Sequence, residues 1–326
     1  MNDSFSTIGL ALRGASHIGV ACHLRPDGDA IGSIVALARS LQLIGKKVTI
    51  FSEDGVPPNL TFLPHTETVI KSVGAPQGFD VAVALDNATK IRLGENTNLA
   101  FSDAKLLVNM DHHGTNPRYG QLNYIDTTSP ATGQIIYDFL TTEGLPIDDV
   151  IRENIFAAIS TDTGSFQYSS TNARTHRIVA EMMDAGLDTS ELARKLYHTK
   201  PLRRLALLKA MLNEMKIDAG GKLAYWALSQ KVQREVGVQG GDTEDLIDTL
   251  RMIEGVISAV MFEEMSDGKI RVSARSKDQR LNVSDVCAEF GGGGHPMAAG
   301  ARLAGPLDEA VSRFVEVLKA EVQKIG

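Results

Sequence analysis

Residues 17–51 have the sequence HIGVACHLRPDGDAIGSIVALARSLQLIGKKVTIF, and this segment decides the fold class. A short apolar run at 17–23 predicts a buried strand. Residues 29–44 carry apolar side chains at helical spacing, and Gly45 follows as a typical helix stop. Residues 47–51 predict a second strand. Strand, helix and strand in this order predict a parallel pair joined by a right-handed crossover.

The same alternation continues through the first part of the chain. Residues 80–85 and 105–110 are further apolar runs of strand length. Helical patterns follow at 132–144, 148–160 and 174–185. Strands separated by helix-length segments predict an α/β domain whose parallel sheet has helices on both faces.

The rest of the chain predicts a smaller mixed α/β domain. Strand patterns and helix patterns are both present, with strands at 222–228, 256–263 and 269–275 and helices at 243–251, 283–290 and 307–325. We place the first domain at residues 1–186, a linker at 187–204 and the second domain at 205–326. An active-site cleft is expected between the two domains.

Composition describes an ordinary globular protein. Its 326 residues are 43% hydrophobic and 22% charged, which excludes a disordered, collagen-like or disulfide-stapled chain. No apolar run approaches the ~18 residues of a transmembrane helix, and residues 1–12 lack a signal-peptide pattern. The only cysteines, Cys22 and Cys287, lie far apart. We therefore expect reduced thiols and a cytoplasmic protein that does not contact membranes.

The charge of the chain is unevenly placed. Residues 1–199 hold 15 basic and 22 acidic residues, a net charge of −7, whereas residues 200–326 hold 18 of each. A broad basic surface for long duplex DNA is therefore absent. The acid excess of the first part needs its own explanation.

Acidic residues and histidines collect at the ends of predicted elements in the first part. They are His23, Asp27, Asp29, Asp86, Asp111, His112, His113 and Asp162. Because the carboxyl ends of parallel strands share the edge of the sheet where ligands bind, we expect these side chains to converge. Imidazole nitrogens and carboxylate oxygens without thiolates suit a divalent ion, with Mn²⁺ preferred and Mg²⁺, Co²⁺ or Fe²⁺ as alternatives. Two such ions ~3.5–4 Å apart would form a hydrolytic centre.

Each of these residues alone has a simpler interpretation. A single aspartate after a strand is more often a helix cap or a turn residue, and His23 alone is more often structural than a ligand. The segment 26–29 alone would fit a tight turn. Their number at one predicted edge favours metal binding, because so many carboxylates would repel one another without bound cations.

Four short motifs resemble those of the DHH phosphoesterase superfamily. They are His23-x₃-Asp27-x-Asp29, Asp86, Asp111-His112-His113 and Asp162. Residues 291–300, GGGGHPMAAG, resemble the signature of the DHHA1 substrate domain of that family. Together the motifs cover nearly the whole chain, and its layout looks most like the bacterial bifunctional oligoribonuclease and pAp phosphatase (nanoRNase) group.

The resemblance implies two metal sites that share one carboxylate. The first site would be formed by His23, Asp27 and Asp86. The second site would be formed by Asp29, Asp86, His112 and Asp162. His113 would contact the scissile phosphate or protonate the leaving oxygen, and Asp111 would orient a neighbouring histidine.

The glycines at 291–294 carry a separate prediction. Because consecutive glycines are poor in helices and strands, we expect a loop whose N–H groups approach an anion, with a flexible linker as the alternative. Residues 269–280 carry five basic residues and one acid, a local net charge of +4 for which a solvated strand face is the alternative. The resemblance implies these substrate-binding residues: Arg275, Ser276, Gly292, Gly293, Gly294 and His295.

The resemblance also implies the reaction. We expect a two-metal phosphoesterase that hydrolyses short oligoribonucleotides to mononucleotides and also removes the 3′-phosphate of pAp. Cyclic di-AMP or pApA is the alternative substrate, polyphosphate is disfavoured, and a non-catalytic nucleotide-binding module is the alternative class. The expected partner is short single-stranded RNA or a small nucleotide, and a homodimer is left open.

Overall fold

The computed structural model describes residues 2–239 and 241–325. The chain divides into two compact units, Met1–Thr199 and Lys200–Gly326. This division falls inside the predicted linker at 187–204, but part of that stretch is helix α7 (Thr189–Tyr197), whose Leu192 and Leu196 are buried in the core of the first unit. The exact domain limits stay a prediction.

A six-stranded sheet organises the first unit. Its strands are β1 (His17–Ala21), β2 (Lys47–Ser52), β3 (Val69–Lys71), β4 (Val81–Leu85), β5 (Leu106–Asp111) and β6 (Leu122–Ile125). They lie in the order β3-β2-β1-β4-β5-β6, and every neighbouring pair is parallel. The predicted parallel sheet is confirmed. The two edge strands, β3 and β6, were not predicted, because they are only 3 and 4 residues long.

Helices cover both faces of this sheet, as predicted. In chain order they are α1 (Phe5–Gly14), α2 (Gly28–Leu43), α3 (Glu95–Ala100), α4 (Thr132–Thr142), α5 (Asp149–Asp162), α6 (Ala173–Asp184) and α7. The larger core joins one face of the sheet to α1, α2, α4 and α5. A smaller core on the other face joins Phe51 and Phe79 to α3.

Helices α2 and α5 approach each other closely, and this contact positions the acidic residues. A Cβ atom on Gly32 would lie 2.3 Å from the Asn154 carbonyl oxygen, and one on Gly28 would lie 2.5 Å from Thr161 Oγ1. Only glycine permits this approach. The start of α2, with Asp29, is therefore brought against the end of α5, where Asp162 is the last residue.

A second six-stranded sheet organises the other unit. Its strands are β7 (Lys216–Asp218), β8 (Leu223–Leu228), β9 (Ser258–Glu264), β10 (Lys269–Ser276), β11 (Gly293–His295) and β12 (Ala298–Ala304). The helices are α8 (Leu202–Glu214), α9 (Gln230–Val236), α10 (Leu246–Arg251), α11 (Val283–Ala288) and α12 (Leu307–Ile325). The strand order is β11-β12-β10-β9-β8-β7, with β8 and β9 parallel and the other pairs antiparallel. The predicted mixed α/β character is confirmed.

Different helices pack on the two faces of the second sheet. Helices α11 and α12 pack on one face around Phe262 and Phe314. Helices α8 and α10 pack on the other face around Trp226 and Met261. Among residues 2–239 and 241–325, no helix is both long enough and apolar enough to span a membrane.

The glycine-rich segment differs from the prediction. Gly291 and Gly292 lie outside the helices and strands, as predicted, but Gly293–His295 is the edge strand β11, which pairs with β12. The glycines allow the two backbones to approach, because a Cβ atom on Gly292 would lie 2.2 Å from the Gly300 carbonyl oxygen and one on Gly294 would lie 2.7 Å from the Ala298 carbonyl oxygen. The pairing, which is a long-range contact, outweighs the low strand propensity of glycine.

Candidate active site

The candidate site lies where the strand order of the first sheet reverses. Strands β1 and β4 are neighbours there, although β2 and β3 lie between them in sequence. His23 comes just after β1, and Asp86 comes directly after β4. In open parallel sheets, ligands bind outside the carboxyl ends of the strands at this point. The convergence of these side chains is the one expected from the sequence.

Asp86 is the centre of the cluster. Its Oδ2 lies 3.3 Å from His23 Nε2, and its Oδ1 lies 3.5 Å from His112 Nε2. Asp27 approaches the same nitrogen of His23, with 3.7 Å between Asp27 Oδ2 and His23 Nε2. The backbone of Asp86 is left-handed, with φ of 50°. Such strain is typical of functional positions, because the surrounding structure must hold it in place.

Asp29 is held by the start of helix α4. Its carboxylate accepts hydrogen bonds from the backbone N–H groups of Thr132 and Gly133, at 2.6 and 2.8 Å, and from Ser33 Oγ at 3.1 Å. The same Thr132 donates its hydroxyl to Asp86 Oδ1 at 3.2 Å. The helix start thus fixes two carboxylates that the sequence places 57 residues apart (86 − 29). The role of Thr132 was not predicted from the sequence, where it marks only a helix start.

His112 completes a second group of donors. Its Nε2 lies 3.2 Å from Asp162 Oδ2 and 3.9 Å from Asp29 Oδ2. Three groups have ligand atoms within 4.8 Å of one another: His23, Asp27 and Asp86; Asp29, His112 and Asp162; and Asp86, Asp111, His112 and His113. The first group has the same members as the first ligand set that the family resemblance implies. The second group has the members of the second set except Asp86, whose Oδ1 lies 3.5 Å from His112 Nε2. The assignment of these side chains as metal ligands stays a prediction.

The electrostatics of the cluster are those of a cation site. Burial raises the pKa of Asp29 well above its ordinary value, and the negative charges of Asp86 and Asp162 raise it further. Burial, with the charges of Asp27 and Asp86, raises the pKa of Asp162 to about 7 against the opposing effect of His112. Burial acts likewise on Asp86, but hydrogen bonds from His112 and His23 outweigh it and hold that pKa well below its usual range. Divalent cations would relieve the repulsion between these carboxylates.

The backbone fixes how the two histidines face the cluster. His23 Nδ1 lies 2.8 Å from the Leu24 carbonyl oxygen, and His112 Nδ1 lies 3.3 Å from the Ser129 carbonyl oxygen. With Nδ1 facing a backbone carbonyl, Nε2 of each ring is the nitrogen that faces the carboxylates. It donates to Asp86 without metal and is the nitrogen that a metal ion would take on loss of its proton, as in metal-binding histidines. Arg92 also enters this region, with Nη2 at 3.2 Å from His23 Nδ1.

His113 faces a different partner. Its Nδ1 lies 2.8 Å from Asp111 Oδ1, and Asp111 is fully buried. Asn116 Nδ2 donates to the other oxygen of Asp111 at 2.6 Å and to Asn109 Oδ1 at 2.8 Å. Asn116 was not identified from the sequence. The only available signal was its position three residues after His113 in the same loop.

The predicted substrate-binding residues of the second unit separate into two sets. Arg275 and His295 both pair with Ala298, so these three residues form one row across β10, β12 and β11. Ser276 points to the opposite face. It is buried, and its Oγ donates to the Asp278 carbonyl oxygen at 2.9 Å. A substrate contact by Ser276 therefore stays a prediction, with its hydroxyl already engaged.

The three predicted glycines also differ. Packing against β12 explains Gly292 and Gly294. A Cβ atom on Gly293 would meet no atom within 4 Å. Internal packing therefore gives no reason for glycine at 293, whereas an approaching ligand would.

Comparison with known proteins places this geometry in a family. Residues 17–161 match the DHH family, N-terminal domain, and residues 220–324 match the DHHA1 domain. A Thermus thermophilus protein named bifunctional oligoribonuclease and PAP phosphatase NrnA is 32% identical over 311 residues, which cover 95% of this chain and 91% of that protein. The chain belongs to the DHH family. It is a metal-dependent phosphoesterase whose first unit is the DHH unit and whose second is the DHHA1 unit.

Other relatives also match this chain over most of its length. A Bacillus subtilis protein with the same name is 28% identical over 286 residues, covering 86% of this chain and 87% of that protein. The crystal structure of an exopolyphosphatase-related protein from Bacteroides fragilis has a TM-score of 0.89 and 25% identity, and the match covers 98% of this chain and 96% of that chain. Both similarities extend over the DHH and DHHA1 units together.

Proposed function

We propose that this DHH protein hydrolyses short oligoribonucleotides to mononucleotides and removes the 3′-phosphate of pAp. The observation that carries the proposal is the carboxylate of Asp86, which faces His23 with one oxygen and His112 with the other. A shared carboxylate between two donor sets is the arrangement of a two-metal phosphoesterase centre. The name of the Thermus thermophilus relative supports this choice of substrates.

The donors fit two divalent cations, with Mn²⁺ preferred and Mg²⁺ or Co²⁺ as alternatives. Imidazole nitrogens and carboxylate oxygens, with no thiolate among them, are the ligands that such ions favour. His23, Asp27 and Asp86 would hold one ion. Asp29, Asp86, His112 and Asp162 would hold the other. When bound, the two ions would lower the pKa of a water molecule and stabilise negative charge on the phosphoryl oxygens.

His113 is proposed as the group that contacts the scissile phosphate or protonates the leaving oxygen. Its Nδ1–H donates to Asp111, so Nε2 is the nitrogen turned away from that carboxylate. Asp111 fixes the orientation of the ring. Asn116 in turn holds the second oxygen of Asp111. The Nδ1–H group of His113 is therefore held toward Asp111, and Nε2 is the nitrogen left for the substrate.

The DHHA1 unit is proposed to bind the nucleotide part of the substrate. Arg275 and His295 lie in one row of the sheet and both suit a phosphate. Gly293 leaves space for backbone N–H groups to approach that anion. The net charge of −7 favours single-stranded or small nucleotides over long duplex DNA as substrates, because duplex binding requires a broad basic surface. Two buried free thiols, Cys22 and Cys287, support a cytoplasmic setting.

Polyphosphate is the second candidate substrate, because the Bacteroides fragilis structure is that of an exopolyphosphatase-related protein. The test is product analysis of the purified protein with Mn²⁺ on a panel of dinucleotides, longer oligoribonucleotides, pAp, cyclic di-AMP, pApA and polyphosphate. We expect mononucleotides from the oligoribonucleotides and AMP from pAp. Turnover of polyphosphate or cyclic di-AMP alone would contradict the proposal, as would metal binding without any turnover.

A further inference from the structure

Strand β12 presents an arginine directly opposite another arginine. Arg302 pairs in register with Arg271 of β10. Their neighbours Ala301 and Leu303 are buried in the core under α11 and α12, so Arg302 lies on the other face of the sheet, where it is exposed. Like charges at directly opposite positions destabilise a sheet, because their Cβ atoms are only ~4.5–5.5 Å apart. Folding alone gives no reason for this pair.

Only one of the two charges is balanced. Arg271 Nη1 lies 3.2 Å from Glu263 Oε2, and the Glu263 side chain is only 14% exposed. Within residues 2–239 and 241–325, Arg302 makes no side-chain hydrogen bond or ion pair. Lys269, two residues before Arg271, is also exposed on this face. The end of the sheet therefore carries uncompensated positive charge.

A row of small residues separates this charge from the row that holds Arg275 and His295. Ser273 pairs with Gly300, and Gly300 pairs with Gly293. A Cβ atom on Gly293 would meet nothing within 4 Å, so this middle row is open to a ligand. Arg271 lies four residues before Arg275 in the same strand, which places the two basic rows ~13 Å apart. This spacing suits two phosphate groups of one substrate, one at each row.

We propose that Arg302 and Arg271 form a second phosphate subsite, which binds a phosphate of an oligoribonucleotide too long to be held at Arg275 and His295 alone. Arginine suits this role because its guanidinium donates two parallel hydrogen bonds to a phosphate. The inference rests on the proposed function and extends it. Dinucleotides and pAp are too short to reach the second row, so Arg302 selects substrates by length.

The test compares substrates of two lengths in Arg302→Ala, Arg302→Lys and a control, Lys324→Ala. Lys324 is an exposed cation on α12, which covers the opposite face of the sheet, so its removal changes the net charge equally. For an oligoribonucleotide of about five residues, we expect Arg302→Ala to raise KM about tenfold and Arg302→Lys to raise it less. For a dinucleotide and for pAp, KM should stay at the wild-type value in all three variants.

A binding measurement keeps the two proposals separate. The Kd of a fluorescein-labelled oligoribonucleotide of the longer length is measured on the chelator-treated protein, which does not turn it over. A wild-type protein that binds this probe through Arg302 but hydrolyses no oligoribonucleotide would refute the proposed function and leave the subsite in place. Two results would overturn the subsite. One is an equal rise in KM for the dinucleotide and the longer oligoribonucleotide in Arg302→Ala. The other is an unchanged KM and Kd for the longer oligoribonucleotide.

Discussion

Asp86 Oδ1 lies 3.5 Å from His112 Nε2, and both side chains are largely buried. The second oxygen of the same carboxylate faces His23. Asp86 can serve both donor sets because it follows β4 directly, in the middle of the sheet, with His23 after β1 on one side and His112 after β5 on the other. One side chain therefore couples two sites that are otherwise built from separate elements.

Metal affinity should rise with pH. Without metal, burial raises the pKa of Asp162 to about 7. Burial lowers the pKa of His112, but the hydrogen bond that His112 donates to Asp86 outweighs this effect and raises that pKa above its usual value. Protons on these groups must leave before a cation binds, so raising the pH through this range removes the competitor. We expect tighter Mn²⁺ binding at about pH 8 than at about pH 6, with proton release detectable by calorimetry in buffers of different ionisation enthalpy.

The same linkage applies to stability. A carboxyl group with a raised pKa, such as Asp162, stabilises the metal-free protein at low pH and loses that contribution as the pH rises through about 7. The gain in Tm on adding Mn²⁺ should therefore grow with pH, and Asp162→Asn should reduce this growth. A Tm gain that is constant across the range would contradict the assignment of Asp162 to the metal centre.

Replacing Asn116 should lower kcat with little change in KM. Asn116 Nδ2 donates to Asp111, which holds His113, so Asn116→Ala frees the carboxylate that orients the proposed proton donor. A loss of about 10–100-fold in kcat is expected for a residue of this kind. The control is Asn96→Ala, because Asn96 makes a similar bond to a carboxylate, at 2.8 Å from Glu53, away from the cluster. Equal kinetics in the two variants would refute this role, as would loss of bound metal in Asn116→Ala.

Gly293→Ala should raise KM without destabilising the fold. The added methyl group would meet no protein atom within 4 Å but would occupy the space proposed for a phosphate. Gly294→Ala provides the contrast, since its Cβ would lie 2.7 Å from the Ala298 carbonyl oxygen at φ of +148°, and should lower Tm. Thermal unfolding and steady-state kinetics of both variants distinguish the two effects. An unchanged KM in Gly293→Ala would argue against ligand approach at this glycine.

Gly32→Val should destabilise the DHH unit. The close contact of Gly32 with the Asn154 carbonyl oxygen leaves no room for a side chain, and forcing the helices apart costs about 1–3 kcal/mol or more of the free energy of unfolding. Gly14→Ala is the matched control, because a Cβ atom there meets nothing within 4 Å. Urea unfolding should show Gly14→Ala at or above wild-type stability. Similar midpoints for the two variants would mean that α2 and α5 can separate freely.

The sequence predicts those parts of the fold that local patterns determine. Strands β1, β4 and β5 are continuous apolar runs, and α2 begins at an aspartate, Asp27, whose side chain caps the helix by accepting from Ala30 N. The convergence of the acidic residues and histidines is predictable for the same reason, because several of them directly follow these elements. Once the strands are placed, the topology alone brings Asp86 beside His23.

The parts that were missed depend on contacts distant in sequence. Strands β11 and β12 are rich in glycine and alanine, and they form strands only because β12 pairs with β10 and β11 pairs with β12. Asn116 and Thr132 have no motif of their own, since their roles arise from the carboxylates that they meet in the folded chain. Ser276 faces the opposite side of the sheet from Arg275, because adjacent residues of a strand alternate, and its contact with substrate stays a prediction.

The most direct test of the account is the metal content of Asp86→Asn, measured beside Asp27→Asn, Asp162→Asn and the exposed control Asp103→Asn. The amide keeps the shape of the carboxylate but loses the charge that both sites share. We predict two Mn²⁺ ions per chain in the wild type and in Asp103→Asn, and one ion in Asp27→Asn and in Asp162→Asn. For Asp86→Asn we predict no bound ion and no detectable turnover. Retention of one tightly bound ion by Asp86→Asn, with measurable hydrolysis, would contradict the claim that this carboxylate joins the two sites.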